Sequence, residues 1–235
     1  MDKILDILWS GDDFKERNYY LPSDPHIIRM TYGEAELLQE YVKKSQEGIL
    51  EIGRFFGGST YFLVESAPKN IMVTSIDIKD RIKIYNNVNE VKHNVKEMRE
   101  TYAGSKYKSV VKGLKQAQSD GKLSLINKNS SKMKLGDDKK YDVIFIDGDH
   151  SYKGVMNDLK LVFRPSTKYI VLHDYFEKGY DFHGNTKDSA FIPKQYGVKR
   201  AVDHFIEKGR CKKLKQEETM IVLEYLGETK DTSGY

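Results

Sequence analysis

Cysteine is almost absent from the chain. Cys211 stands alone among 235 residues, so no intrachain disulfide can form and no cysteine-based zinc site fits. Such a chain suits a reducing compartment, and a cytoplasmic protein is the expectation. Net charge is equally scant: 39 Lys and Arg against 35 Asp and Glu leave +4, far from the clustered basicity of a dedicated nucleic-acid binder. No stretch approaches the roughly 20 apolar residues of a membrane span, and the first residues lack a basic segment followed by an apolar one. A soluble protein without a targeting signal is expected. Internal repeats and low-complexity tracts are lacking too, and the densest polar stretch, Asn127 to Lys140, is short enough for a surface connection.

What the sequence does contain is alternation. Short apolar runs of the kind buried strands show recur at Gly48–Gly53, Ile71–Asp77, Leu123–Ile126, Tyr141–Ile146 and Tyr169–Leu172. Helical patterns separate them, over Gly33–Lys44, Gly58–Ala67, Tyr85–Tyr102, Tyr152–Phe163 and Val198–Lys208. Strand, helix and strand in succession predict a parallel sheet with helices on both faces. The tail differs, because Lys212 to Leu226 reads as two extended runs broken at Glu217-Glu218-Thr219, the pattern of an antiparallel hairpin. The length suits one domain over residues 1–235, with an N-terminal helical cap over 1–45.

The strongest local signal is Leu50-Glu-Ile-Gly-Arg-Phe-Phe-Gly-Gly-Ser-Thr60, a strand running through a glycine-rich turn into a helix. Glycine lets the backbone turn tightly and approach a ligand, and the helix start points unpaired N–H groups toward it. The glycines alone fit a plain strand-to-helix turn equally well. The spacing is Gly-x-x-x-Gly-Gly rather than the Gly-x-Gly-x-x-Gly of dinucleotide folds, and Glu51 precedes it, a carboxylate that repels pyrophosphate and suits an ammonium. Asp77 ends the next strand 24 residues after Gly53, near the spacing expected of an acid that accepts ribose hydroxyls.

The second strong run is Tyr141-Asp-Val-Ile-Phe-Ile-Asp-Gly-Asp-His-Ser-Tyr-Lys-Gly154, in which an apolar strand delivers Asp147, Asp149 and His150 at its end. Tyr169-Ile-Val-Leu-His-Asp-Tyr175 repeats the arrangement with His173 and Asp174. Two strand ends carrying Asp suit a hard cation such as Mg²⁺, and His150 suits a general base. For Asp149 a helix-capping role competes.

These motifs together resemble the class I S-adenosylmethionine-dependent methyltransferases, in the small-molecule branch that holds macrocin O-methyltransferases and is similar to catechol-type O-methyltransferases. The resemblance spans roughly Met30 to Phe205. It implies a Rossmann-like, doubly wound α/β fold with a seven-stranded sheet, mostly parallel, with an antiparallel C-terminal strand. It also implies S-adenosylmethionine as cofactor and methyl transfer to a hydroxyl oxygen of a small molecule. By the same resemblance Glu51 faces the methionine end of the cofactor, with Gly53, Phe55 and Ser59 around it. Asp77 holds the ribose, Ser130 lies by the adenine, and Met30 and Thr31 close over the cofactor. Asp147 sits near the methionine amino group or a metal, Asp174 matches a second metal ligand, and His150 takes the place of the lysine base.

One position departs from that pattern. Catechol-type enzymes carry a third oxygen ligand directly after the second metal-binding Asp, and here that residue is Tyr175. The segment 175–196 is expected to wall the acceptor pocket, and a homo-oligomer is left open. Two rivals carry different chemistry. A nucleic-acid methyltransferase has the Lys-rich span Lys92 to Lys115 in its favour, but neither an Asn/Asp-Pro-Pro-Tyr/Phe motif nor a Pro-Cys nucleophile is present. A nicotinamide-dependent oxidoreductase shares the ribose acid and lacks its phosphate turn.

Overall fold

The computed structural model describes Ile28 and residues 30–79, 105–176 and 192–227, with the backbone alone for 105–108 and 192–196. The expected helix over 85–102, most of the segment 175–196, and most of the cap over 1–45 lie outside the described residues.

Five helices and seven strands are described: α1 (Tyr32–Val42), β1 (Ile49–Ile52), α2 (Gly58–Ser66), β2 (Val73–Asp77), α3 (Ser105–Ser119), β3 (Leu123–Asn127), β4 (Val143–Ile146), α4 (Tyr152–Val162), β5 (Tyr169–Leu172), α5 (Ile192–Glu207), β6 (Cys211–Glu217) and β7 (Met220–Tyr225). The strands form one sheet in the order β3-β2-β1-β4-β5-β7-β6. Strands β1 to β5 pair in parallel, whereas β7 runs antiparallel to both β5 and β6. The antiparallel strand expected at the C-terminus is therefore β7, slotted between β5 and the edge strand β6.

Period-two alternation along short apolar strands feeds both faces of this sheet. Ile49, Val143, Phe145, Val171 and Val222 point to one side, where Leu38 and Val42 of α1, Phe62 and Leu63 of α2, and Val110 and Leu114 of α3 cover them. Leu50, Ile52, Ile144, Ile146, Ile170 and Leu172 point to the other, under Val155 and Leu159 of α4 and Val198 and Val202 of α5. Each fully buried side chain of this size contributes about 1.5–3 kcal/mol. Helix α3 was not singled out within its Lys-rich stretch, yet Val110, Leu114 and Ala117 form a buried stripe at helical spacing. It packs so closely on α2 that a Cβ on Gly113 would lie 2.4 Å from the ring of Tyr61.

Helix α1 starts with a capping box. The Thr31 hydroxyl accepts from the Glu34 N–H (3.2 Å), and the Thr31 N–H donates to Oε2 of Glu34 (2.9 Å). Among the described residues no helix is long and apolar enough to cross a membrane.

Candidate active site

From β1 the chain winds outward through β2 to β3, then returns to place β4 on the other side of β1. The crevice beyond the C-terminal ends of β1 and β4 is thus the topological switch point where open α/β sheets bind ligands. Contact there is tight. Gly53 has φ +100, and a Cβ on it would lie 2.1 Å from the carbonyl oxygen of Asp147, so the two strand ends meet backbone to backbone.

On the β1 side, Oδ2 of Asp77 accepts the N–H groups of Arg54 (3.0 Å) and Phe55 (2.8 Å), and Oδ1 accepts that of Lys79 (3.0 Å). A carboxylate offers about four lone-pair sites, so one remains on Oδ1 for a ligand hydroxyl. Phe55 holds φ +49 in this turn, and Gly57, with φ +89, caps α2 without a side-chain hydrogen bond. The first N–H groups of α2 are therefore left for a ligand.

Glu51 faces inward. It is fully buried and accepts from the hydroxyls of Ser59 (2.5 Å), Thr60 (2.5 Å) and Ser75, so it braces the turn from beneath. Burial raises its pKa against the pull of those three hydroxyls. Arg54, missed in the sequence, is buried below the same turn and ties β2 to β3 by donating to the Ser75 carbonyl (2.9 Å) and to Oδ1 of Asn127 (2.5 Å).

On the β4–β5 side, Asp147, His150, His173 and Asp174 converge. His150 spans two carboxylates, with Nε2 3.1 Å from Oδ1 of Asp147 and Nδ1 3.1 Å from Oδ2 of Asp174. His173 lies behind them, Nδ1 3.5 Å from Oδ1 of Asp147 and 3.5 Å from Oδ1 of Asp174. Consecutive strand residues normally point to opposite faces. Asp174 escapes that rule with φ +62, a left-handed backbone that lets it join His173 on one side of the strand. Strained backbone of this kind gathers at functional sites. Side-chain exposure climbs from 8% at His173 through 14% at Asp174 and 23% at Asp147 to 32% at His150, so the cluster opens to solvent on the His150 side.

Charge sets the protonation of the group. Burial works against ionisation of Asp147, but the charge of His173 and the hydrogen bond from His150 outweigh it and hold its pKa below the ordinary value. Burial likewise opposes a proton on His150, and Asp147 and Asp174 reverse that, raising its pKa. Burial also raises the pKa of Asp174, against the pull of His173 and His150.

Glu34 completes the cluster from α1 and was missed in the sequence. Its Oε2 lies 3.3 Å from Nε2 of His173, while Oε1 accepts the N–H (3.0 Å) and hydroxyl (2.6 Å) of Thr219 in the β6–β7 turn. The only local signal was the capping box Thr31-x-x-Glu34, which announces a helix start and nothing further.

The remaining expected residues are placed as follows. Met30 is buried in the α1 side of the core, and Thr31 is the α1 cap. Ser130 opens a 3₁₀ turn after β3, where it hydrogen-bonds to the buried Asp158 of α4. The cap of α4 is Ser151, and the exposed Asp149 accepts the Ser151 N–H (3.0 Å). Tyr175 turns away from the cluster and donates to Oδ1 of Asp203 on α5 (2.8 Å).

The donor set fits a divalent cation: Asp147, His173 and Asp174 each offer one ligand atom, all within 4.8 Å of one another. The third donor precedes Asp174 in the chain instead of following it.

Comparison with known proteins bears on the fold. Among the solved structures that share it are three methyltransferases. An O-methyltransferase from Bacillus cereus, solved with SAH, aligns at 18% identity over 96% of this chain and 91% of its own, with a TM-score of 0.51. The O-methyltransferase of tomaymycin synthesis from Streptomyces achromogenes, solved with SAM, aligns at 15% identity over 97% and 91%, TM-score 0.53. An SAH-bound methyltransferase from Podospora anserina aligns at 12% identity over 96% and 88%, TM-score 0.57. No curated protein matches the sequence significantly. The profile of a family described as a methyltransferase domain matches residues 50–175, more than half of the chain, from the glycine turn through the His173-Asp174 pair, and the chain belongs to that methyltransferase-domain family.

Proposed function

We propose that the protein transfers a methyl group from S-adenosylmethionine to a hydroxyl oxygen of a small molecule at the β1–β4 crevice. The observation that carries this is the meeting, in a methyltransferase-domain chain, of a glycine turn closed by Asp77 with a solvent-open Asp147–His150 pair. Bound there, S-adenosylmethionine supplies a methyl group already activated on a sulfonium.

The chain's own residues do the rest. The free lone-pair site on Asp77 accepts a ribose hydroxyl, the turn at Gly53 and Phe55 admits the cofactor backbone-close, and Ser130 lies on the adenine side. Glu51 and Ser59 hold the turn in shape, and Met30 and Thr31 close over the cofactor from the start of α1. His150 orients the acceptor hydroxyl on the open side of the cluster and takes its proton as the carbon–oxygen bond forms and the carbon–sulfur bond breaks, the bonding pair leaving on sulfur. It does so in its neutral form, its ring proton given up to solvent on that open side, a form that positive charge held at Asp147 and Asp174 would favour. A divalent cation held by Asp147, His173 and Asp174 would act as a Lewis acid on the acceptor oxygen. Asp147 and Asp174 are hard oxygen donors of the kind Mg²⁺ accepts.

The test is release of S-adenosylhomocysteine with a panel of phenols, sugars and hydroxylated macrocycles, beside RNA and DNA. Turnover on a hydroxylated small molecule supports the reading. Turnover confined to nucleic acid, or none with any acceptor in a protein that binds the cofactor, contradicts it.

A further inference from the structure

We propose that the cation at this site is a first-row transition-metal ion in preference to Mg²⁺, with His173 Nδ1 as a ligand and Glu34 as the residue that positions it. The inference deepens the methyltransferase reading by naming the metal, and its chemistry rests on the donor atoms alone.

Mg²⁺ demands oxygen ligands in near-ideal octahedral geometry and keeps several waters. Imidazole nitrogen suits Fe²⁺, Ni²⁺ or Zn²⁺, and affinity at such a site rises from Mn²⁺ through Co²⁺ to Ni²⁺. Here the inner donor is a nitrogen. His173 Nδ1 stands 3.5 Å from one oxygen of Asp147 and 3.5 Å from one of Asp174. An ion bonded at about 2.1 Å spaces its ligand atoms roughly 3–4 Å apart, so these donors need little movement to share one. The residue that would complete an all-oxygen set after Asp174 is Tyr175, and its hydroxyl is committed to Asp203.

Glu34 supplies the feature that separates a ligand histidine from a bystander. Metal-bound histidines donate their other ring N–H to a carboxylate or carbonyl, which fixes the tautomer and the ring plane. His173 does this with Nε2, whose partner is Oε2 of Glu34 at 3.3 Å. Glu34 cannot swing away: it is buried, and the Thr31 N–H, the Thr219 N–H and the Thr219 hydroxyl all donate to it. With Nε2 so held, Nδ1 faces Asp147 and Asp174. His150 reaches the same two carboxylates from the solvent side, one ring nitrogen to each, and stays with the acceptor.

The experiment is calorimetric titration of the full, chelator-treated chain with MnCl₂, CoCl₂ and MgCl₂, each with and without S-adenosylmethionine, joined to pulsed EPR of the Mn²⁺ form. Expected is one site that binds Co²⁺ at least roughly tenfold more tightly than Mg²⁺, with Mn²⁺ between them. The bound Mn²⁺ should show ¹⁴N coupling that His173→Asp abolishes while narrowing the gap to Mg²⁺. Glu34→Gln should weaken Mn²⁺ binding roughly 10–100-fold and leave S-adenosylmethionine binding in place. Because wild type alone ranks the metals and reports the nitrogen, a variant that fails to fold leaves the test intact. Mg²⁺ binding as tight as Co²⁺, Mn²⁺ without ¹⁴N coupling, or no metal binding in a chain that binds S-adenosylmethionine would overturn the proposal. Nitrogen-ligated Mn²⁺ in a chain indifferent to S-adenosylmethionine would uphold the site and defeat the methyl-transfer reading instead.

Discussion

Oε2 of Glu34 and Nε2 of His173 stand 3.3 Å apart although 139 residues separate them, joining the first turn of α1 to the end of β5. Removing the carboxylate takes the partner from Nε2 of the buried His173 and from both donors of the half-buried Thr219. Glu34→Ala should therefore cost about 3 kcal/mol or more in urea denaturation. Glu40→Ala, which deletes an exposed carboxylate paired with Lys44 and Lys215, should cost under about 1 kcal/mol. Equal costs would show that the Glu34–His173 link does not bear on stability.

Two glycines with positive φ make a matched pair. At Gly53 an added Cβ meets the Asp147 carbonyl at 2.1 Å, whereas at Gly121, with φ +70, it meets nothing within 4 Å. Gly121→Ala should lower stability by only about 1 kcal/mol. Gly53→Ala must also part the ends of β1 and β4, so it should fall several kcal/mol lower or fail to fold. Similar melting temperatures for the two variants would contradict the close approach of those strands.

Among the described residues the His150 ring pairs with Asp147 and Asp174, and it is the most exposed member of its cluster. His150→Ala should leave S-adenosylmethionine binding within about twofold of wild type, while turnover at saturating cofactor drops on the order of 10²–10⁴-fold. Unchanged turnover would remove His150 from proton transfer.

Asp158, buried in α4, titrates at about 6 instead of 3.8, because burial and the nearby Asp149 outweigh its bond to Ser130. The folded value lies above the ordinary one, so the stability this group contributes is fully present below pH 3.8 and is lost as pH rises through about 6. Asp158→Asn never ionises. Its stability relative to wild type should thus rise by up to roughly 3 kcal/mol between pH 3 and pH 8, as read by denaturation at each pH. A flat difference across that range would show that Asp158 is not desolvated.

The strand ends were legible because short apolar runs stop at charged residues, and Asp77, Asp147 and Asp174 each close such a run. Helix α3 was blurred because its surface lysines dilute the Val110, Leu114 and Ala117 stripe. His173 was not read as a candidate donor beside Asp147 and Asp174. Alternation along a strand sets His173 and Asp174 on opposite faces, and the left-handed backbone at Asp174 that unites them leaves no composition signal. Glu34 was hidden for another reason. Its capping box is local, but its partner Thr219 lies 185 residues away and is brought to it only by the β6–β7 turn.

The central claim is that the turn closed by Asp77 is a site for S-adenosylmethionine. Calorimetric titration of the purified chain with S-adenosylmethionine and, separately, NAD tests it directly, with Asp77→Ala alongside. Saturable binding of S-adenosylmethionine, weakened at least roughly tenfold in Asp77→Ala and without response to NAD, is the predicted result. No heat with S-adenosylmethionine, or binding indifferent to Asp77→Ala, would contradict it.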